Sequence, residues 1–211
     1  MFLMMRQLRV LFVCLLCLND SHATEISVGN VVATVGEVFA QRGNLVQPLM
    51  RGADVQAGDE LASGPASRLV VRFNDGSILT LGADTRMQVR DWQYREKSSA
   101  NKAQLSLVAG AFRLVTGAIT RQQKPDLNVQ TPMGAIGVRG TDFWGGYLDA
   151  DAVDVILLEG EHKLEISNGA GHVLISTPGE GVTLRPNAAP TQPVKWSAEK
   201  LQRAVQTISM P

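Results

Sequence analysis

Cysteine is nearly missing from this chain. Of its 211 residues only Cys14 and Cys17 are cysteines, and both lie near the start. If that start is removed, disulfides, thiol catalysis, zinc–thiolate sites and iron–sulfur clusters are excluded together. An excess of charge is missing too, since 20 basic residues face 20 acidic ones. That balance argues against a dedicated nucleic-acid binder, which carries a strongly basic surface. Aromatics are scarce at 5%, prolines number 9, and charged residues make up 19% against 45% hydrophobic, a mixture that excludes wholesale disorder. Beyond residue 18 no segment is apolar enough to cross a bilayer as a helix. What the chain does have is glycine, 20 residues of it, among many valines and leucines. This composition leans towards short strands joined by glycine turns.

Residues 1–23 have the three parts of a secretory signal peptide. Arg6 and Arg9 give a positive start, Val10 to Leu18 is apolar throughout, and Ser21 and Ala23 form a small-x-small cleavage site. The apolar run is too short for a bilayer span, and the bulky residues before Cys14 and Cys17 argue against lipoprotein processing. Cleavage after Ala23 removes both cysteines and leaves a nearly neutral domain that its core alone must hold. The expected organisation is a signal peptide at 1–23, a β domain at 24–185, a linker at 186–194 and an amphipathic helix at 195–211. The expected location is periplasmic or secreted, with no membrane span in the mature chain.

From Ile26 to Leu184 short apolar stretches alternate with turn residues. Leu69, Val71 and Phe73 are interleaved with Val70 and Arg72, the period of two that marks a strand. Asn74-Asp75-Gly76-Ser77 follows, and Ile78 to Leu81 resumes the strand. Asp-Gly between two such runs predicts a hairpin, because glycine accepts a positive φ. The same alternation recurs at Met87 and Val89, Leu105 and Leu107, Leu127 and Val129, and again from Val153 to Leu184. Only the end reads as helix. Ser197 can cap it, Glu199 lies in its first turn, and Ala198, Leu201, Val205 and Ile208 share a face. The expectation is that this helix closes an open end of the β structure, with Trp196 packing back onto the strands; a partner-binding role is the other reading.

Two blocks carry a family resemblance. Gly58-Asp59 followed by Gly64 to Val89 (GPASRLVVRFNDGSILTLGADTRMQV) resembles the central signature of the FecR domain, and Thr131 to Trp144 (TPMGAIGVRGTDFW) resembles its second block. The resemblance extends over roughly residues 28–185. It implies an all-β fold, a twisted β-solenoid or a sandwich-like FecR domain with a short C-terminal helix. The family takes its name from a membrane regulator of iron-citrate uptake, with a cytoplasmic anti-sigma segment, a membrane helix and a periplasmic domain that senses a transporter. Here the start reads as an export signal instead, so direct sigma-factor control is not carried over. What the resemblance implies is a non-enzymatic extracytoplasmic module that contacts another molecule.

The motif residues Asp75, Gly76, Ser77, Arg139, Gly140, Thr141, Asp142 and Phe143 all have structural readings. Asp75 and Ser77 can bond their own turn, and Arg139 can bridge to Asp142 or to buried carbonyls. A ligand role for Arg139, Thr141 and Asp142 is the minority reading. Asp149 to Asp154 begins like a calcium loop but lacks the fifth-position oxygen and sixth-position glycine, so a polar hairpin turn is expected. His162 and His172 have no zinc spacing. No cofactor and no metal site is expected, nor a catalytic residue.

Charge is unevenly spread. Arg86 to Lys124 holds eight basic and two acidic residues, whereas Asp142 to Glu180 holds eight acidic and one basic. Arg90, Trp92, Tyr94 and Arg95 stand before a polar stretch, Ser98 to Asn101, which should form a mobile exposed loop. They are the candidate binding residues, with an envelope protein or an anionic glycan as partner and nucleic acid excluded by export. The bland alternative is a buried Trp92 and arginines that neutralise the acidic region. Two rival classes are a carboxylate-dependent enzyme acting on envelope polysaccharide and a purely structural envelope component.

Overall fold

The computed structural model describes residues 27–160 and 162–210. The export signal expected at residues 1–23 lies outside them. Eighteen strands form two nine-stranded sheets, and one α-helix follows. The first sheet contains β1 (Ser27–Val35), β4 (Asp54–Gln56), β6 (Arg68–Phe73), β7 (Ile78–Leu81), β10 (Ala111–Val115), β13 (Asp142–Asp149), β14 (Ala152–Glu159), β17 (Glu180–Leu184) and β18 (Val194–Lys195). The second contains β2 (Val38–Arg42), β3 (Leu45–Pro48), β5 (Glu60–Ser63), β8 (Arg86–Gln93), β9 (Lys102–Ala109), β11 (Leu127–Thr131), β12 (Gly134–Val138), β15 (Leu164–Asn168) and β16 (Gly171–Ile175).

The spatial orders are β18-β17-β14-β13-β10-β7-β6-β1-β4 and β16-β15-β12-β11-β9-β8-β5-β2-β3. Both run nearly in chain order, and the chain changes sheet every one or two strands. The molecule therefore advances along one axis as a solenoid does, while its cross-section is a sandwich. Neither sheet closes into a barrel. The two architectures expected from sequence are combined in one.

Alternation drives the packing. In β6, Leu69, Val71 and Phe73 face inward and meet Leu61, Met87, Val89 and Leu105 of the other sheet in one core. Phe112 and Phe143 pack edge-to-face within it, 5.6 Å between ring centres. Side chains of this size are worth about 3–5 kcal/mol each against alanine when fully buried.

The helix α1 (Ala198–Ile208) begins where the sequence places it, with the Ser197 hydroxyl accepting from the Lys200 N–H at 3.2 Å. It does not close an end of the solenoid. It lies on the outer face of the first sheet, where Trp144, Ile156 and Trp196 form a second small core with Ala204 and Ile208. Residues such as Trp144 and Ile156 alternate with the inward Phe143, Val155 and Leu157, so this sheet is apolar on both faces there and must be covered. The buried helix face is Leu201, Ala204 and Ile208, while Val205 is 39% exposed, so the apolar stripe is rotated from the one expected. Trp144 fixes the docking by donating its indole N–H to Thr207 Oγ1 at 2.9 Å.

Candidate interaction site

The Asp75-Gly76-Ser77 turn is a clamp. Gly76 sits at φ +87°, and the Asp75 carboxylate accepts from the Ser77 N–H at 3.0 Å and the Ser77 hydroxyl at 2.7 Å. It reaches further, accepting from the Ile119 N–H at 3.1 Å, while Ser77 Oγ accepts from the Gly117 N–H at 2.7 Å. These bonds hold the start of a short 3-10 helix, Ala118–Arg121, against the β6–β7 hairpin. Gly117 has no room for a side chain, since a Cβ there would lie 2.4 Å from the Asp75 carbonyl oxygen.

That short helix leads into β11, which pairs in parallel with β9. Every other pairing among the described strands is antiparallel. Parallel pairing brings the start of β11 beside the start of β9, so residues 121–126 lie next to the loop joining β8 to β9. The contact is direct: Gln122 Nε2 donates to the Asn101 carbonyl oxygen at 2.6 Å.

The β8–β9 loop is tied, not loose. Asn101 is buried, accepts from the Arg95 N–H at 2.7 Å and donates to the carbonyl oxygens of Arg95 and Ser98. The expected exposure of Ser98 to Asn101 holds at Ser99 and Ala100, but the stretch is tied by hydrogen bonds, most of them from the Asn101 side chain. Within the loop Lys97 takes φ +65°, and its side chain is exposed.

Trp92 needs a second correction. It is 3% exposed and stacks on Phe73, ring centres 3.6 Å apart and planes 8° from parallel. Strict alternation from Val89 would turn Trp92 outward, but a bulge between Val89 and Asp91 inserts Arg90 and resets the pleat. Trp92 is thus a wall of the site, not an exposed anchor.

Trp92, Tyr94 and Arg95 line one cavity of about 720 Å³ with Gln56, Asn74 and Asn101. Arg90 is exposed on β8 but does not line it. On the other side of the loop a groove of about 490 Å³ is lined by Lys97, Ser98, Arg121, Gln122 and Lys124. Arg95, Lys97, Arg121 and Lys124 have no ion-pair partner among the described residues. Lys102 is different, 2.6 Å from Asp91, whose hydrogen bond and charge raise the ammonium above its ordinary value. Three buried side-chain polar atoms among the described residues lack a partner: Gln56 Oε1, Trp92 Nε1 and Gln122 Oε1. All three belong to residues lining these two adjoining depressions.

The second motif block holds the chain together elsewhere. Arg139 does not bridge to Asp142; it is exposed, and Asp142 is gripped by both arms of the Arg113 guanidinium, one at 2.8 Å. That bond raises the already high pKa of Arg113. Thr141 donates its hydroxyl to the Glu159 carbonyl oxygen at 2.6 Å, Gly140 sits at φ +107°, and Phe143 is in the core. Arg139 instead lines a groove of about 530 Å³ with His162, Lys163, Glu165 and His172. Both histidines, one just before β15 and one on its hairpin partner β16, line this groove, yet no group of three or more metal-ligating side chains forms among the described residues.

Asp142 is thus paired with an arginine of the basic stretch, as the bland alternative allows, whereas two other carboxylates of the acidic region find partners elsewhere. Asp154 is buried and bonded to Lys200 Nζ at 2.6 Å and to the Thr183 hydroxyl at 2.5 Å, while Asp149 pairs with Arg203 at 3.0 Å. These bases come from α1; in the basic middle of the chain Arg113 is committed to Asp142 and Lys102 to Asp91, while Arg95, Lys97, Arg121 and Lys124 have no ion pair among the described residues. Asp59, the acidic half of the Gly58-Asp59 step, is fully buried and paired with Arg42 at 2.7 Å.

A sandwich that advances as a solenoid, with a motif-built clamp beside a basic loop face, defines an all-β module whose Asp75-Gly76-Ser77 and Thr141-Asp142-Phe143 motifs are architectural. Residues 59–162 match the FecR protein family. The matched stretch is narrower than the 28–185 expected. Two crystal structures of a candidate anti-sigma factor from Parabacteroides distasonis ATCC 8503 share the fold, with TM-scores of 0.51 and 0.53 at 17% identity. Each comparison covers 68% of this chain and 62% of the other, so the chain spans under two thirds of their length. None of the curated proteins compared with the chain matches it.

Proposed function

We propose that this protein is a non-enzymatic, extracytoplasmic signalling module that works by contacting an envelope protein or glycan through the face around the β8–β9 loop. The observation that carries the reading is the pairing pattern. Among the described residues every buried carboxylate is committed within the fold: Asp59 to Arg42, Asp75 to its turn, Asp142 to Arg113 and Asp154 to Lys200. General acid–base work needs a carboxylate free to exchange a proton. The cations Arg95, Lys97, Arg121 and Lys124, by contrast, are uncommitted and gathered at one place. The FecR match and the anti-sigma description of the structural neighbours support a regulatory role. The signal-like residues 1–23 support export, and no described helix is long and apolar enough to cross a membrane.

The test is capture of the tagged full-length protein from the envelope of its own cells, alongside an Arg90→Ala/Arg95→Ala variant. A component retained by the wild type and lost by the folded variant supports the reading. Retention of nothing, or of the same component by both, counts against it.

A further inference from the structure

We infer that the ligand of this face is an anionic glycan, with sugar hydroxyls entering the cavity beside Trp92 and acidic groups lying over the groove of Lys97, Arg121 and Lys124. The inference rests on the face around the β8–β9 loop being the contact surface, and it adds what the ligand must offer.

The two depressions ask for different things. The groove presents Lys97, Arg121 and Lys124 with no acidic residue in its lining, so it favours negative charge. The neighbouring cavity asks for hydrogen-bonding partners instead. Gln56 there has an unpaired acceptor and Trp92 an unpaired donor, while Gln122 adds a second unpaired acceptor on the groove side. The Gln56 and Gln122 side chains are only half-buried overall, so a turn of either amide presents its oxygen to a ligand hydroxyl, which can donate to it, while the Trp92 N–H stays enclosed. Tyr94, half-buried in the same cavity, offers a ring of the kind that packs against a sugar. An acidic peptide would bring the charge, but its side-chain carboxylates are acceptors only. A donor for the glutamine oxygens would have to come from its backbone N–H groups, which are fewer than the hydroxyls of a sugar chain of equal charge.

The geometry also explains why both depressions belong to one site. Asn101 closes the loop from the cavity side with its side chain and receives Gln122 from the groove side with its carbonyl. The spacing of charge and hydroxyl recognition is therefore fixed by one buried residue, and the Asp75 clamp fixes Arg121 behind it.

Calorimetric titration of the full-length protein tests this with three probes: oligogalacturonate, its methyl-esterified neutral form, and oligo-glutamate of equal charge. The acidic sugar should bind, more weakly as salt rises, and both other probes should bind about tenfold less tightly. Lys97→Gln/Arg121→Gln/Lys124→Gln, all exposed positions, should reduce the acidic sugar to the affinity of its ester. Gln56→Leu and Gln122→Leu should weaken both sugar forms. Gln56→Leu removes an unpaired acceptor, so it should not lower the melting temperature; should it misfold, the triple variant carries the test. Absence of oligogalacturonate binding, equal affinity for oligo-glutamate, or unchanged sugar binding in folded Gln56→Leu and Gln122→Leu would overturn the inference. A protein captured from the envelope together with no sugar binding would sink this inference and leave the module reading standing.

Discussion

Asp75→Ala removes the keystone of the clamp and leaves everything else in place. The carboxylate accepts three hydrogen bonds, from the Ser77 N–H, the Ser77 hydroxyl and the Ile119 N–H. The two backbone donors are buried and have no water to turn to; each unpaired donor costs about 1–3 kcal/mol. The hydroxyl can rotate, so its loss costs little beyond the bond. The expected destabilisation is about 3–5 kcal/mol, most of a small domain's margin. For a chain of this size that is roughly 6–20 °C in melting temperature, at about 2–4 °C per kcal/mol. Urea denaturation followed by circular dichroism measures it, with Asp75→Asn as the graded control. Asparagine keeps one acceptor oxygen and should recover about half the loss. A change below about 0.5 kcal/mol for Asp75→Ala would refute the reasoning, because it would place this turn among ordinary surface positions.

Three further outcomes follow from the same structure. Gly76→Val meets no neighbouring atom within 4 Å, so its cost is the positive φ alone, about 1–3 kcal/mol by denaturation; an unchanged midpoint would show that the turn relaxes freely. Lys200→Ala leaves the buried Asp154 with only Thr183, and should cost about 1–3 kcal/mol and loosen α1, less than the 3–5 typical of a fully buried pair. Adding Asp154→Leu should restore most of it. Burial raises the Tyr147 pKa above its ordinary 10.0, so the folded protein keeps that phenol protonated when the unfolded chain would lose it. Its stabilising contribution is complete below pH 10 and fades as pH climbs through the raised folded value. An absorbance titration should show a late phenolate that Tyr147→Phe abolishes.

Much of the fold could be read from local pattern. The Leu69-Val71-Phe73 alternation, the Asp75-Gly76 hairpin and the Ser197 cap depend on neighbours in sequence, and all form as expected. The short edge strand Leu45–Pro48 escapes pattern because it has no buried face to alternate against; Leu45 and Val46 are both 58% exposed. The site was legible in part. Tyr94 and Arg95 do line a cavity, but the bulge that turns Trp92 inward has no signature in Arg90-Asp91. The partnership of residues 95–97 with 121–124 depends on the single parallel pairing, a long-range choice that local periodicity does not encode. Gln56 and Gln122 look like any surface glutamine until folding strips their oxygens of partners. Likewise, α1 supplies Lys200 and Arg203 to the acidic region only because an apolar outer sheet face draws the helix there.

The central claim is that contact runs through the β8–β9 loop face and not through a sheet edge. A photoreactive amino acid replacing Arg95, compared with one replacing Leu45 on the exposed edge strand β3, tests it in living cells. The account predicts a discrete crosslinked product from position 95, lost when Lys97, Arg121 and Lys124 are neutralised, and none from position 45. A product from position 45 with none from position 95 would contradict it.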